Sequence, residues 1–542
     1  MHAKVLDCTL RDGAYLIDKN FGEMNIKGIV AGLVESNMDF IEIGFLQDDG
    51  FGEGKTVFFD SQDAKKYIPK NKKNSQFAVL ADFSRYTISN LDENKGDSFD
   101  AVRECFFKKE RFEALEACRV IKEKGYKSFV QPVDILGYTD AEILELIDKV
   151  NEIEPYCLSI VDTFGSMYAE DLRRLFTLIH HNLVPSCKIG FHSHNNMQLS
   201  NALTQEFLQI SRGVREVVVD TTLCGMGRGA GNTPTELVVQ YMISHLGYPY
   251  NIDAILDTID NYIENIKTRC EWGYTIPFFI AGAHTSHVNN IAYLQKKNGV
   301  RSKDIQYILN SIDGIERKRY DYQLLEDTYF SYMSSDIDDS FCLEKLSAIL
   351  SNRNVLILAP GKSISSEIEK INHYIKEKDA VVITVNYLDT NISSDYIFMS
   401  NPKRHDFWLN DENYVKSSKI YTSNINHIHK DRDFVCSYIK LLKAGWNHLD
   451  NATILLLRLL DNFKLKEIAI AGFDGYSVTE STNFVNEYLN SLYVKENPIE
   501  INNEVSEMCM DYINSRENDN RIVFLTESRF ERFLNGERYE KN

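Results

Sequence analysis

The sequence lacks the features that would place a protein in a membrane or on a nucleic acid. No apolar run in its 542 residues reaches the roughly 18 residues needed to span a bilayer, and no basic start leads into an apolar core and a cleavage site. The formal net charge is -19. Since binding of a phosphate backbone requires clustered cations, a chain this acidic is not expected to have a nucleic-acid partner. The short apolar runs predict that it has no membrane span.

Paired cysteine motifs are missing as well. The 10 cysteines are scattered, without a CxxC pair or zinc-finger spacing, and several stand in apolar runs. A thiol in such a run behaves as a small apolar side chain, so we expect reduced cysteines and a cytoplasmic location. A composition of 43% apolar and 26% charged residues is typical of a globular protein, and the length predicts two or more domains.

Over about its first 230 residues the sequence alternates short apolar runs with stretches of helical spacing. Apolar, β-branched runs separated by helices are typical of a parallel sheet. Eight such units predict an α/β fold of the closed (β/α)8 TIM-barrel type, with an open doubly wound sheet as the alternative. The predicted strands are residues 4–10, 39–45, 76–83, 99–105, 128–135, 157–165, 187–194 and 216–225.

The pattern changes twice after the barrel, which we predict to cover residues 1–250. Residues 251–348 have helical spacing and are expected to form a helical extension that covers the barrel mouth. Residues 349–542 begin with RNVLILAPGKSISSEIEKI, an apolar strand followed by a Pro-Gly turn and a helix. Further apolar runs follow, so we predict a second α/β domain with a doubly wound sheet.

Polar side chains stand at the predicted carboxyl ends of the barrel strands, where this kind of barrel builds its active site. Strand one ends in TLRDG, with Arg11 and Asp12, and strand seven ends in FHSH, with His192 and His194. Residues two apart on a strand point to the same face, so both imidazoles are expected to face the barrel mouth. With the Asp12 carboxylate they suit a divalent ion such as Mn²⁺, Mg²⁺, Zn²⁺ or Fe²⁺. Taken alone, this spacing is equally compatible with two packed, hydrogen-bonded histidines.

Three motifs resemble those of the DRE-TIM metallolyase superfamily: LDCTLRDGAY, FHSHNN and GMGRGAGNTPTE. They stand in the order that the superfamily has, and the likeness covers roughly residues 1–300. It is most similar to the 4-hydroxy-2-oxovalerate aldolase branch; 3-hydroxy-3-methylglutaryl-CoA lyase and the isopropylmalate synthases are other members. The resemblance implies a lyase that makes or breaks a carbon–carbon bond through the enolate of pyruvate or a similar 2-oxo acid. It also implies a divalent ion, Mn²⁺ or Mg²⁺ before Zn²⁺ or Fe²⁺, and a homodimer.

The same resemblance implies roles for the polar residues at the strand ends. Arg11 would bind the substrate and stabilise the enolate oxygen, and Glu42 would steady the metal ligands by hydrogen bonding. Gln131 and Thr163 would contact the substrate, with the Thr163 hydroxyl holding its carboxylate; the alternative for Thr163 is an ordinary strand residue. The implied metal ligands are Asp12, His192, His194 and, as a fourth, Asn232.

The catalytic base is where the sequence departs from the family pattern. The aldolase branch has a histidine at the position of Tyr15, whose phenol, with an ordinary pKa near ~10, is a reluctant base. Downstream, His284 and His287 are three residues apart, which predicts one face of a helix. The candidates for the proton transfer are therefore Tyr15, His287 and a water, and the alternative for His287 is a surface or interface histidine.

Three later segments, TVNYL, DYIFMSNPKR and IAIAGFDGY, resemble parts of the Rossmann-like domains of bacterial sialyltransferases and of related motility-accessory and pterin-pyrophosphokinase-like proteins. The resemblance implies that Gly361, Ser363 and Asn386 bind a nucleotide or nucleotide-sugar, with Asp474 near that site. The alternative is an α/β domain without a ligand.

These expectations combine into a two-domain enzyme. The barrel would join or cleave a small 2-oxo acid and an aldehyde, and the second domain would bind a nucleotide-sugar, a pairing that suggests polysaccharide biosynthesis. A Claisen-type synthase using an acyl-CoA is one alternative, although that branch has Glu-Gln where this chain has Ala14 and Tyr15. A non-catalytic scaffold is another, although Arg11, Asp12 and both histidines are retained.

Overall fold

The structure is a computed structural model, and it divides the chain into two compact units. The first consists of Met1–Ile291 and Gly314–Tyr320, and the second of Ala292–Asp313 and Asp321–Asn542. The predicted boundaries at residues 250 and 348 stay predictions. The residues described are 2–297, 300–333, 337–425, 430–443, 446, 451–477, 484, 497–516 and 518–535. No helix among them is both long enough and apolar enough to cross a membrane.

The first unit contains a closed parallel barrel. Its strands are β1 (Ala3–Asp7), β2 (Phe40–Leu46), β3 (Gln76–Asp82), β4 (Ala101–Phe106), β5 (Lys127–Pro132), β6 (Cys157–Asp162), β7 (Lys188–Ser193) and β8 (Val217–Thr221). Each strand pairs in parallel with the next, and β1 pairs with both β2 and β8, which closes the sheet. The predicted (β/α)8 fold is therefore confirmed, and a further two-residue strand, Val57–Phe58, pairs with the end of β2.

The barrel interior has an apolar layer below a polar one, because residues two apart on a strand share a face. The apolar layer includes Phe40, Ala101, Phe129 and Val218. Two residues further along the same strands stand four buried polar side chains, Glu42, Arg103, Gln131 and Asp220. The polar layer thus lies toward the carboxyl ends of the strands, where barrels of this type carry their chemistry.

Helices surround the barrel and bury one apolar face each. The helix after β4, for example, buries Leu115, Cys118 and Ile121, which are spaced by three residues. The helices of this unit are α1 (Thr9–Asp12), α2 (Glu23–Glu35), α3 (Ser61–Lys65), α4 (Arg111–Glu123), α5 (Asp140–Ile153), α6 (Ala169–Asn182), α7 (Ser200–Ile210), α8 (Thr235–Leu246), α9 (Ile252–Thr258), α10 (Glu264–Lys267) and α11 (Ile276–Ala283). A short 3-10 helix, Gly13–Leu16, follows α1.

His284 and His287 were predicted to lie on one helix, but the helix ends between them. Helix α11 ends at Ala283 and α12 (Val288–Gln295) begins at Val288, so that prediction is wrong. Thr285 lies between them with φ 48°, a left-handed conformation that a β-branched residue adopts only under tertiary constraint. The constraint is visible at His287, whose backbone N–H donates to the carbonyl of Arg317 at 3.0 Å.

Segment Gly314–Tyr320 connects residues 284–290 to the carboxyl end of the barrel. The side-chain amide of Asn290 donates to the carbonyls of Arg317 and Arg319, both at 2.8 Å. Lys318 pairs at 2.6 Å with Asp134, which follows β5. The His287 region therefore belongs to the polar end of the barrel.

The second unit is built on another parallel sheet. Its strands are β9 (Asn354–Leu358), β10 (Val381–Val385), β11 (Tyr396–Met399), β12 (Ser418–Thr422), β13 (Phe434–Cys436), β14 (Glu467–Ala471) and β15 (Ile522–Phe524). They lie in the order β13-β12-β11-β10-β9-β14-β15, and all pairs are parallel. The order reverses at β9, as in doubly wound sheets, which bind ligands at the carboxyl side of the reversal.

The remaining described helices belong to this α/β unit. They are α13 (Ser302–Asn310), α14 (Tyr322–Met333), α15 (Ser340–Leu350), α16 (Ser363–Ser366), α17 (Ile368–Lys378), α18 (Pro402–Trp408), α19 (Glu412–Lys416), α20 (Tyr438–Leu441), α21 (Ala452–Leu460), α22 (Pro498–Ser515) and α23 (Glu531–Leu534). A core of strand residues such as Leu356, Ile397 and Ala469 packs with residues of α17, among them Ile371. The likeness of this unit to sialyltransferase-type domains stays a prediction.

Candidate active site

One turn of helix, rather than the strand itself, carries Arg11 and Asp12. Strand β1 ends at Asp7, whose carboxylate accepts the backbone N–H of Thr9 at 3.0 Å. Helix α1 follows, with the N–H of Asp12 donating to the carbonyl of Cys8 at 2.8 Å. The predicted strand 4–10 is therefore too long, because a local carboxylate takes the N–H that would have continued the ladder. Arg11 and Asp12 are both buried.

Two imidazoles face one oxygen of the Asp12 carboxylate. Nε2 of His192 lies 3.3 Å from Oδ2 of Asp12, and Nε2 of His194 lies 3.8 Å from the same oxygen. The two rings are almost perpendicular, with their centroids 5.2 Å apart. Nitrogen and oxygen ligands about 2.1 Å from one ion are separated from each other by about 3 Å or slightly more, so these three atoms fit a single divalent ion.

Asp220 fixes the tautomer of His192. Nδ1 of His192 lies 3.0 Å from Oδ2 of Asp220. Because a carboxylate only accepts hydrogen bonds, Nδ1 carries a proton, and in the neutral ring Nε2 is left as the nitrogen that can bind an ion. A carboxylate behind the second ring nitrogen is the usual way in which a metal-binding histidine is oriented.

The glycine-rich turn after β8 brings Asn232 beside His194. The two residues form an isolated antiparallel bridge, and the Asn232 side chain is buried. Its Oδ1 has no hydrogen-bond partner among the described residues. Burying an amide oxygen without a partner costs about 1–3 kcal/mol, a cost that coordination to a cation would remove. Asn232 is therefore a candidate for the fourth protein ligand of a divalent ion.

The protonation states of the donors also suit a cation. Burial raises the pKa of the Asp12 carboxyl, but Arg11 and the two imidazoles outweigh burial and hold that pKa well below its ordinary value. Burial lowers the pKa of His194 to about 3, so its imidazole is neutral at neutral pH. Burial lowers the pKa of His192, but its contacts with Asp12 and Asp220 outweigh burial and raise that pKa above its ordinary value. A bound cation would favour the neutral ring, which is the form of imidazole that binds metals.

Cys8 lies next to these donors without matching their chemistry. Its thiol, the Asp12 carboxylate and the His192 ring place their ligand atoms within 4.8 Å of one another. Burial raises the pKa of the Cys8 thiol well above its ordinary value, and the thiol donates to the carbonyl of Thr221 at 3.3 Å. A protonated thiol is a poor metal ligand, so we leave Cys8 out of the donor set.

A chain of buried charges continues from Arg11 into the polar layer. Oε2 of Glu42 accepts from Arg11 at 2.7 Å and from Arg103 at 3.0 Å, and Arg103 also binds Asp220. Arg11 lies 3.2 Å from Oδ2 of Asp12. Glu42 therefore contacts the two guanidinium groups rather than an imidazole, and each charge in the chain has neighbours of opposite sign, as buried charges require.

The two predicted substrate contacts have different surroundings. The side-chain oxygen of Gln131, when it accepts from Ser159, also lies 3.1 and 3.2 Å from two nitrogens of Arg103, so Gln131 joins the buried chain of charges. Oγ1 of Thr163 accepts the backbone N–H of Asp134 at 2.8 Å. The hydroxyl proton of Thr163 is still free to be donated to a ligand.

Tyr15 packs against a cation. The guanidinium carbon of Arg228, in the turn after β8, lies 4.1 Å from the centre of the Tyr15 ring, and the edge of Phe45 packs on it at 5.3 Å. Burial raises the pKa of Tyr15 to about 12. The phenol is therefore protonated at neutral pH and donates a hydrogen bond rather than accepting a proton.

His287 has one ring nitrogen already engaged. Nδ1 accepts the backbone N–H of Asn289 at 3.1 Å, so Nε2 carries the proton in the neutral ring, which packs against Tyr320 at 5.0 Å. Burial, with a smaller contribution from Arg228, lowers the pKa of His287 to about 4. His287 is thus neutral at neutral pH and lies within electrostatic reach of Arg228.

In the second unit, the turn after β9 meets the turn after β14. The backbone N–H of Ser363 donates to one carboxylate oxygen of Asp474 at 2.8 Å, and its hydroxyl donates to the other. A Cβ at Gly361 would lie 2.3 Å from the carbonyl oxygen of Gly472, so only glycine allows the two turns to approach this closely. The carboxylate of Asp474 therefore occupies the position at which such a turn presents N–H groups to a phosphate.

Asn386 shapes the neighbouring loop at the end of β10. It has φ 59°, and its Oδ1 accepts the backbone N–H groups of Ser400 and Asn401 at 2.8 and 3.1 Å. Its amide nitrogen donates to the hydroxyl of Ser400 at 3.2 Å. Asn386 thus joins the ends of two adjacent strands, at the edge of the sheet where ligands bind.

Three charged residues of the barrel site had no predicted role. Asp220 and Arg103 each stand inside an apolar strand, in VVVDT and AVREC, where a charge needs a partner; this signal could have identified them. Arg228 had no comparable signal, because its partner Tyr15 is distant in the sequence.

The barrel is similar to known proteins in sequence. Residues 2–261 match the family model described as HMGL-like. The chain is 26% identical over 239 residues to the oxaloacetate decarboxylase of Mycobacterium tuberculosis, covering 43% of this chain and 68% of that protein. It is 26% identical over 273 residues to the 4-hydroxy-2-oxovalerate aldolase of Carboxydothermus hydrogenoformans, covering 48% and 76%. For the aldolase of the same name in Thermomicrobium roseum the values are 28% over 259 residues, 46% and 69%.

Proposed function

We propose that this protein is a divalent-metal-dependent aldolase acting on pyruvate, or a similar 2-oxo acid, and an aldehyde, since residues 2–261 match the HMGL-like family model. The observation that carries the proposal is the approach of His192 and His194 to one oxygen of Asp12, with Arg11 3.2 Å from that oxygen. The proposed ion is Mn²⁺ or Mg²⁺, which carboxylate and amide oxygens favour.

The metal ligands and Arg11 have different roles in the proposed reaction. A divalent ion held by Asp12, His192, His194 and Asn232 would act as a Lewis acid on the carbonyl oxygen of the 2-oxo acid. Arg11 faces the same oxygen as negative charge develops there, and its contact with Glu42 at 2.7 Å keeps it in place before the reaction begins.

The carboxylate and the proton are handled by other groups. The Thr163 hydroxyl donates to the substrate carboxylate, since its oxygen is already held by the N–H of Asp134. In condensation a bond forms between C3 of the oxo acid and the aldehyde carbon; the proton lost by C3 balances the one gained by the new alkoxide. A water moves this proton, because Tyr15 is protonated and Nδ1 of His287 is engaged.

Exchange of the pyruvate methyl protons in D₂O tests the proposal without an aldehyde. We expect exchange in the presence of Mg²⁺ or of Mn²⁺. Proton NMR measures the exchange with Mg²⁺, and mass spectrometry measures it with Mn²⁺. Chelation should stop it and added ion should restore it. Absence of exchange with every divalent ion would overturn the proposal, and release of free thiol from acetyl-CoA would favour a Claisen-type synthase instead.

Replacing Tyr15 by Phe is expected to leave pyruvate exchange within about three-fold of the wild-type rate. Removing a true general base costs about 10²- to 10⁴-fold, whereas the Tyr15 phenol is protonated at neutral pH. The rate of deuterium incorporation at pH 7 is the measurement. A 100-fold loss in Tyr15→Phe would instead identify the phenol as the proton carrier.

For the second unit we propose a nucleotide site, preferably for a nucleotide-sugar, formed by Gly361, Ser363 and Asn386 at the reversal of strand order. Its support is the position of these residues at the carboxyl ends of β9 and β10. A sugar-linked substrate, and with it a role in polysaccharide biosynthesis, would follow from such a site. The Asp474 carboxylate at the Ser363 N–H would weaken binding of a phosphate.

An Asp474→Asn variant is therefore expected to bind a nucleoside diphosphate about tenfold more tightly than the wild type. The substitution removes a negative charge next to the phosphate, and a tenfold change in affinity corresponds to about 1.4 kcal/mol of binding free energy. Titration calorimetry with CDP and UDP measures the difference. Equal or weaker binding in the variant would show that the carboxylate does not occupy the phosphate position.

A further inference from the structure

Arg228 is a guanidinium without a counter-ion in the barrel site. Its side chain is half-buried and stacks at 4.1 Å on the Tyr15 ring, and it makes no hydrogen bond or ion pair with any residue that the structure describes. A stacked guanidinium keeps its N–H edge free for a planar anion. A half-buried cation without such a partner is costly unless a ligand supplies one.

The other two arginines of the site are already neutralised. Arg11 contacts Asp12 and Glu42, and Arg103 contacts Glu42 and Asp220. Each of the two already balances two carboxylates, whereas Arg228 balances none that the structure describes. An incoming anionic group is thus directed to Arg228.

Arg228 stacks on Tyr15 and lies within electrostatic reach of His287. It stands in the turn that ends at Asn232, and its charge acts on the rings of His194 and His287. Thr163, the proposed partner of the oxo-acid carboxylate, has its contact elsewhere, with the loop after β5. The two side chains stand in different turns, one after β6 and the other after β8, so each is available to a different anionic group.

The charge balance points the same way. The connected cluster contains three carboxylates and two guanidinium groups, a net charge of −1 with neutral imidazoles: Asp12, Glu42, Asp220, Arg11 and Arg103. A divalent ion brings the cluster to +1, and Arg228 brings it to +2. Two negative charges from the reactants would restore neutrality, which a buried site favours. Asp162 is satisfied separately by the N–H groups of Ser166 and Met167.

We propose that Arg228 binds an anionic group, a carboxylate or a phosphate, on the aldehyde partner, so that the enzyme acts on a charged aldehyde rather than a neutral one. The proposal rests on the aldolase function above, because it assigns one charge to the 2-oxo acid and the second to the aldehyde. Tyr15 then serves as the platform that positions the guanidinium, at the place where the aldolase branch has its base.

Matched pairs of aldehydes test this assignment in condensation with pyruvate. Succinic semialdehyde is compared with butanal for a carboxylate, and glyceraldehyde 3-phosphate with glyceraldehyde for a phosphate. We expect kcat/KM for at least one charged aldehyde to exceed that of its neutral partner by 30-fold or more. The pair with the larger ratio identifies the anion, and ratios near one for both pairs would overturn the proposal.

The ratio of kcat/KM for the charged aldehyde to kcat/KM for its neutral partner is also measured in three variants. Arg228→Gln should lower it to within two-fold of one, Arg228→Lys should give an intermediate value, and Arg212→Gln, an exposed arginine after α7, should leave it unchanged. If Arg228→Gln is inactive with both aldehydes, the Lys variant decides: an unchanged ratio there overturns the proposal. A higher KM for pyruvate with an unchanged ratio would do so too, by assigning Arg228 to the oxo acid.

Failure of the aldolase function gives a different result. If the wild type does not exchange pyruvate protons, the function itself is wrong and the ratios have no meaning. If exchange occurs but neither charged aldehyde is preferred, only the role of Arg228 is overturned.

Discussion

An Asp12→Asn variant is expected to lose divalent-ion binding and, with it, pyruvate proton exchange. The Asp12 oxygen lies 3.3 Å from His192 and 3.8 Å from His194, so the substitution removes the anionic member of the donor set at its centre. We expect affinity for Mn²⁺ to fall by about 1000-fold, or about 4 kcal/mol. Calorimetry gives the affinity, and metal analysis after dialysis gives the content.

The control for this experiment is a carboxylate far from the donor set. Asp97 is exposed and pairs with Lys65, so Asp97→Asn should retain both metal and exchange. Because amide and carboxylate have nearly the same shape, a folded Asp12→Asn protein separates loss of charge from loss of packing. If Asp12→Asn bound Mn²⁺ as tightly as the wild type, the ion would lie elsewhere in the protein.

An Asp220→Asn variant is expected to weaken both metal binding and the barrel. Asp220 holds Nδ1 of His192 at 3.0 Å and also binds buried Arg103. Loss of a carboxylate behind a metal-binding histidine costs about 10- to 100-fold in affinity, and breaking a buried ion pair costs about 3–5 kcal/mol of folding stability. Calorimetry and urea unfolding of the metal-free protein measure the two effects separately.

A second substitution distinguishes these effects. Arg103→Met, added to Asp220→Asn, removes the cation that the first change leaves underpaired, so part of the lost stability should return. Metal affinity should stay low, since His192 is still without its carboxylate. Recovery of both quantities in the double variant would mean that Asp220 acts on the metal through the stability of the barrel alone.

The barrel could be predicted from the sequence because its signal is local and repeated. Eight apolar runs with helices between them leave few other folds, and the carboxyl end of each strand could then be searched for polar residues. Asp12 and the two histidines emerged in this way. The extent of β1 did not, because the Asp7 carboxylate ends the strand through a contact that hydrophobicity does not reveal.

Contacts between distant residues were the part that the sequence could not supply. The spacing of His284 and His287 predicted one helical face, but the hydrogen bond of His287 to Arg317 breaks the helix. The stacking of Arg228 on Tyr15 joins two turns at opposite ends of the barrel sequence. Tyr15 alone suggested a weak base, whereas its stacking with Arg228 supports the proposed binding of an anion.

The glycine turn after β8 limits which of its positions can change during evolution. Gly225 and Gly231 have φ of 63° and 84°, and a Cβ at Gly231 would lie 2.0 Å from the carbonyl oxygen of Gly225. Selection must therefore preserve both glycines to keep Asn232 beside His194. Position 228 carries no such restriction, since its side chain points to Tyr15 rather than into the turn. If Arg228 binds the aldehyde as proposed, substitutions at this position would change the aldehyde that is accepted and leave the metal ligands intact.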